Sequence, residues 1–189
     1  NSTNQQYNAF IAPDERYLIL GVFGREDTRG GTDYYVVFRN PDDTWAGPIN
    51  MGETINQERG AEWSPYVSPD GRYFFFMSNR TAAEEQGPPA SYREVLARHN
   101  VPGNGSSDIY WVDAGFIEEL RAEAYGRKES PPGPVTVKPP VANMRAAETI
   151  QAGTPAWGES FPVLRGEYLG QAPPGSEPEL FAPGIVSNA

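Results

Sequence analysis

Short apolar runs separated by turn residues fill residues 7–125 of the chain. NAFIA, YLILGVF, DYYVVFR and TWAGPINM are rich in β-branched and aromatic residues, and Pro, Asp, Asn or Gly bounds each of them. They predict four short antiparallel strands. Pro13 presets φ for a turn and Asp14 can bond the backbone two residues on, so APDE predicts a tight reversal between the first two. The Gly-rich loop REDTRGG leads to the third strand. A Pro-Asp-Asp turn leads to a shorter fourth, where Pro48 suits a sheet edge.

The pattern then recurs. FIAPDERYLILG (residues 10–21) aligns with YVSPDGRYFFFM (residues 66–77) at an offset of 56, and GGTDYYVVFR with GSSDIYWVD at an offset of 75, from Asp33 to Asp108. The larger second offset marks an insertion within TAAEEQGPPASYREVLARHNVPGN, about residues 81–104. Two blocks repeated in the same order predict two copies of one supersecondary unit. In the second turn, Ser68-Pro69-Asp70-Gly71 places Gly71 where positive φ is expected. Four short strands per repeat, with closely spaced turns, are the pattern of a propeller blade. The fold expected is therefore all-β, with two four-stranded blades at about 7–56 and 57–125, from an incomplete propeller. Short helices are expected in the insertion and after the last blade.

Composition divides at the same place. Of 19 prolines, 8 lie in residues 1–125 and 11 in residues 126–189. ESPPGPVTVKPP has little to bury and predicts an extended, polyproline-like linker, residues 126–158. Apolar residues resume over 159–189, which suggests the start of another folded unit. The net charge is −10, and residues 1–125 hold 10 Arg against 19 Asp and Glu, so the chain lacks the basic face that nucleic acid requires. With no cysteine, disulfides and thiolate chemistry are excluded. His99 is the single histidine, which argues against a catalytic triad or a multi-histidine metal site. No apolar run is long enough to span a membrane.

SPDGRYFFFMSNR followed by SDIYWVD resembles the WD-like β-propeller repeat of TolB-type proteins. The first copy departs mildly, with Ala12 for Ser, Glu15 for Gly, and Gly24-Arg25 where Asn79-Arg80 stands later. GEYLGQAPPGSEPELFAPGIVS resembles the lead-in before the first blade of such proteins. Residues 1–125 would then be the last two blades of one propeller and 159–189 the lead-in of a second, making the chain a fragment of a longer protein. The resemblance implies an exported, periplasmic or cell-envelope location and a non-catalytic module that binds a protein, a small ligand or a glycan at its loops. The alternatives are an accessory propeller of a prolyl-oligopeptidase-like serine hydrolase, or a glycan-binding or glycan-cleaving propeller.

Candidate chemistry is sparse. Asp14, Asp33, Asp70 and Asp108 recur at equivalent places, which fits turn and strand-start hydrogen bonding better than calcium binding. Asp42-Asp43 reads as a solvated turn. Glu118-Glu119 in GFIEELRAEAY invites comparison with glutamates that grip an amino terminus, but a closing helix with Phe116, Ile117 and Leu120 inward accounts for them. Neither Ser68 nor Ser160 sits in G-x-S-x-G, so neither is a nucleophile elbow. SYREVLARH predicts a loop-borne helix with Tyr92, Val95, Leu96 and His99 at spacings of three and four. Tyr92, Arg93 and His99 are therefore candidate partner-binding residues. Trp45 and Trp63, read as lying between strands, are candidates too, whereas Trp111 reads as core. No cofactor is expected.

Overall fold

A computed structural model describes residues 4–58, 60–81, 89, 91–99, 101–126 and 165–183. It is mostly β: two four-stranded antiparallel sheets and two short helices among the described residues. Sheet 1 runs β1 (Gln5–Ile11), β2 (Tyr17–Phe23), β3 (Thr32–Arg39) and β4 (Trp45–Asn50) in sequence order. Sheet 2 takes β5 (Glu62–Val67), β6 (Tyr73–Ser78), β7 (Asp108–Asp113) and β8 (Glu179–Leu180). Helix α1 (Tyr92–His99) lies in the insertion and α2 (Phe116–Ala124) follows β7.

The sheets repeat in register. Leu18↔Val37, Leu20↔Tyr35 and Val22↔Asp33 in sheet 1 become Phe74↔Val112, Phe76↔Tyr110 and Ser78↔Asp108 in sheet 2. Each of these positions is displaced by one of the two sequence offsets. The first strands of the two sheets share an irregularity as well. A bulge between Tyr7 and Phe10 recurs between Trp63 and Tyr66, with Asn8 and Ser64 at φ of 36° and 59°. A bulge re-aims the strand that carries it, and here it does so identically in both copies.

The backbone bonds of the turns repeat. Ala12 N donates to Tyr17 O at 3.1 Å and Glu15 N to Ala12 O at 2.8 Å; Ser68 N donates to Tyr73 O and Gly71 N to Ser68 O, both at 2.8 Å. Asp14 pairs with Arg16, and Asp70 with Arg72 at 2.7 Å. Position four of the turn is left-handed in both copies, φ 56° at Glu15 and 74° at Gly71. Only Gly71 meets that requirement without strain.

The fourth strand of sheet 2 corrects the expectation that residues 57–125 would supply it. Glu179 pairs with Trp111 and Leu180 with Tyr110, and Phe181 N donates to Ile109 O at 2.8 Å. In sheet 1, Ile49 pairs with Val36, Asn50 with Tyr35, and Met51 N donates to Tyr34 O at 3.0 Å. Residues 179–181 thus take the places of 49–51, although the sequence pattern reads them as the lead-in of another unit. The expected proline-rich linker falls almost wholly outside the described residues.

The core lies between the sheets. Side chains alternate across a strand, so Tyr17, Ile19, Tyr34, Val36 and Phe38 share one face of sheet 1. They bury against Val67, Phe74, Phe76, Tyr110 and Val112 of sheet 2. Tyr34 meets Phe74 and Phe76 edge-to-face, at centroid distances of 5.6 and 6.2 Å. Each such side chain contributes roughly 1.5–3 kcal/mol through burial. Met51 and Ile55, from the connection between the sheets, complete the same cluster. Asn56, fully buried, accepts from Tyr34 N at 2.8 Å and donates to Tyr34 O at 3.0 Å, pinning that connection to β3. Gly31 N donates to Gly60 O at 2.6 Å, and a Cβ there would lie 2.9 Å from that oxygen, so the approach requires glycine.

Helix α2 closes one end of this core. Ile117 is buried, and Phe116 and Leu120 pack on the cluster with Glu118 and Glu119 outward. The Arg121 guanidinium sits 5.3 Å from the Phe38 ring, and Tyr125 Oη donates to Arg39 O at 2.9 Å. A helix that follows sheet 2 is thereby tied to sheet 1. Gly71→Ala should cost about 1 kcal/mol, from a Cβ forced into the left-handed region, while Glu15→Gly, which relieves the same strain, should leave stability unchanged or raise it. Urea unfolding midpoints of the two variants check the difference.

Candidate functional site

The repeated carboxylates are engaged in local bonds. Asp33 accepts from Arg29 N at 2.8 Å and Gly30 N at 3.2 Å, and Asp108 from Gly103 N at 2.6 Å. Asp14 accepts from Arg16 N, and Asp70 from Arg72 N, each at 3.2 Å. Partial burial works to raise Asp70. Hydrogen bonds from Ser68, Arg72 and Tyr168 overcome it and hold the carboxyl at about 2. Pro13 and Pro69 are exposed at the turn tips, and Asp42 bonds Thr44. Among the described residues no cluster of His, Asp and Glu is placed to hold a metal ion. None of their helices is long and apolar enough to cross a membrane.

The face of sheet 2 turned away from the core is apolar and only partly covered. Residues one step out of phase with the core, Tyr73, Phe75, Met77, Ile109 and Trp111, share that face by register. Trp111 is fully buried, yet against the returning segment: its ring lies 5.4 Å from Tyr168 and 5.2 Å from Phe181. Tyr168 also covers Tyr73 at 4.8 Å. Beyond this cover lies an apolar cavity of about 400 Å³, lined by Tyr66, Phe75, Met77, Ile109, Tyr168 and Phe181 among others. Tyr66 is 50% exposed. The pattern of strands alone did not reveal this face, because Tyr168 and Phe181 reach it from far along the chain.

A second cavity, of about 340 Å³, lies beside α2, between Met51, Ile55, Phe116 and Leu120 and the carboxylates Glu119, Glu123 and Glu177. Glu118, the other half of the acidic pair, lies 3.4 Å from Arg121 Nε.

The structure separates the candidate partner-binding residues. Helix α1 buries none of its side chains: Tyr92 is 76% exposed, Val95 and Leu96 are exposed, and Arg93 and His99 lie in water. Trp45 and Trp63 are strand residues, correcting their placement between strands. Trp45 begins the edge strand β4 and is exposed. Trp63 pairs with Met77, which puts it on the open face of sheet 2. No ring contact or hydrogen bond among the described residues joins these groups to α1.

Glu62 carries the most perturbed carboxylate. It is fully buried at the start of β5; Oε1 accepts from Ser78 Oγ at 3.1 Å, and Oε2 has no hydrogen-bond partner among the described residues. Burial pushes its pKa up to about 7, against the Ser78 bond and the charge of Arg80. Burial likewise lowers Arg80, which donates to Ile55 O at 2.6 Å and lies 4.9 Å from both the Phe76 and Tyr110 rings. The Tyr34 hydroxyl, also buried and unpartnered, is raised by burial and then by Glu62.

Against these features, no family model, curated protein or solved structure matches the chain.

Glu62 sets a pH dependence with a definite sign. The folded chain holds its proton up to about pH 7, whereas an unfolded glutamate releases it near 4.5. Its contribution is therefore fully present below the lower value and is lost as pH rises through the upper one. Glu62→Gln should remove that loss, stabilising the fold at about pH 8 by on the order of 2–3 kcal/mol while changing little at about pH 4.5. Urea midpoints measured across this range test it; parallel curves for both proteins would contradict the assignment.

Proposed function

We propose that the chain is a non-catalytic binding and scaffolding module of the TolB-type β-propeller class, working in the bacterial cell envelope. Its two sheets are then neighbouring blades, and β8 is the outer strand of the last blade, delivered from beyond the proline-rich linker. The repeated register supports the blade reading, because identical bulges, turns and pairings stack the second unit on the first as propeller blades stack. Recognition falls to loops on that rigid stack.

The observation that carries the binding role is α1. An eight-residue helix in the insertion presents Tyr92, Val95 and Leu96 to water. An apolar stripe without a partner among the described residues is read as a contact surface, and Arg93 and His99 beside it add polar specificity. The partner is a protein with a complementary apolar groove.

Photo-crosslinking tests this reading in a bacterial envelope fraction. A crosslinker at Tyr92 should capture a discrete protein that one at Asp42 does not, and Val95→Ser with Leu96→Ser should abolish the capture. Equal labelling from both positions, or capture that survives the double substitution, would refute it.

A further inference from the structure

We propose that the cavity beside α2 is the docking site for a lysine side chain of a protein partner. The cavity measures about 340 Å³, and its apolar wall is made by Met51 and Ile55 from the connection between the sheets and by Phe116 and Leu120 from α2. Met51 and Ile55 belong to the core itself, at 3% and 1% exposure, so this wall is in place before any ligand arrives. Ligand pockets run from roughly 300 to 1,000 Å³, and a cavity at the lower end suits one side chain rather than a larger molecule. The remaining lining is acidic. Glu119 and Glu123 come from α2 and Glu177 from the segment before β8, and all three are exposed, so they stand at the open side of the cavity. Among the described residues no lysine, arginine or histidine lines it.

The neighbouring cations are committed elsewhere. Arg121 turns its Nε to Glu118 at 3.4 Å and lies over the Phe38 ring. Arg80 donates to Ile55 O at 2.6 Å, and its charge acts on Glu177. The side chains of Glu119 and Glu123 have no ion-pair or hydrogen-bond partner among the described residues. These two lie one helical turn apart, where like charges repel, and Glu123 is in the last turn of α2, where the helix dipole favours a cation. The apolar wall strengthens both effects, because a cleft of low dielectric bearing one sign of charge focuses its field. A bound ammonium group relieves both. Lysine fits this combination best. Its four-carbon stem lies along apolar surface while its charged end stays at the water. Its ammonium has three donors free to rotate, which suits carboxylates on separate segments, whereas the planar arginine fork suits one carboxylate met in its own plane. The site shares no residue with α1, so it is a second contact, independent of the one proposed for that helix.

Amide NMR spectra of the full chain, titrated with blocked tripeptides, test the site. Acetyl-Ala-Lys-Ala-amide should shift the resonances of α2 and of residues 51–55 saturably, and added salt should weaken the complex. The norleucine analogue, which keeps the stem and lacks the charge, and the arginine analogue should each bind more weakly. Glu119→Gln combined with Glu123→Gln should weaken the lysine peptide by about tenfold, whereas Glu118→Gln, on the same helix but outside the cavity, should leave its binding unchanged. All three positions are exposed, and unchanged resonances from the two sheets show that each variant keeps the fold. No saturable shift with the lysine peptide would overturn the proposal, as would norleucine or arginine peptides that bind equally well, or a double variant that binds like the wild type. A lysine-free peptide with an unblocked amino terminus that binds as tightly would also overturn it, giving the cavity to amino termini instead.

Discussion

Everything in this molecule rests on the face-to-face packing of its two sheets around Tyr34, Phe74 and Phe76. A four-stranded antiparallel sheet has two faces and only one chance here to bury one of them fully. The edge-to-face rings at 5.6 and 6.2 Å set the orientation of the contact, and aromatic geometry is what gives an apolar interface a preferred angle. The connection between the sheets cannot drift, because Asn56 bonds both backbone groups of Tyr34. Helix α2 then spans from β7 back to Phe38 and closes the end of the interface.

The same interface carries the structure's principal cost. Glu62, Tyr34 and Tyr110 each bury a polar oxygen without a partner among the described residues, and such groups are expensive in an apolar setting. Glu62 meets that cost by holding its proton to a pH of about 7. Arg80, half-buried between the Phe76 and Tyr110 rings, gains cation–π contact and an accepting carbonyl at Ile55. Stability and protonation are therefore linked at the junction of the two sheets rather than at the open surfaces.

Much of the fold was legible in the sequence because its determinants are local and duplicated. Pro-Asp turns, alternating apolar runs and two constant offsets are short-range signals, and the copy at 66–77 corroborates the one at 10–21. The helix of SYREVLARH was legible from its spacing alone. What escaped were features set by distant partners. Glu179–Leu180 is too short to announce a strand, and its register comes from Tyr110 and Trp111. Glu62 alternates with Trp63 as a surface acid would, and only the packing of sheet 1 over β5 buries it. Trp63 looked like a loop residue because the bulge before Tyr66 breaks the alternation. The candidate surfaces followed suit: α1 was visible, and the groove on sheet 2 was not.

Cooperativity between the sheets is the most direct measure of this account. Trp45 reports on sheet 1 and Trp111 on sheet 2, so variants retaining one or the other tryptophan allow each sheet's urea unfolding to be followed separately. The two transitions should coincide, as a single cooperative unit requires. Phe76→Ala, which opens the interface at a cost of about 3–5 kcal/mol, should move both to the same lower midpoint. Two separate midpoints, with only the sheet 2 transition shifted by Phe76→Ala, would contradict the dependence of the fold on the contact between its sheets.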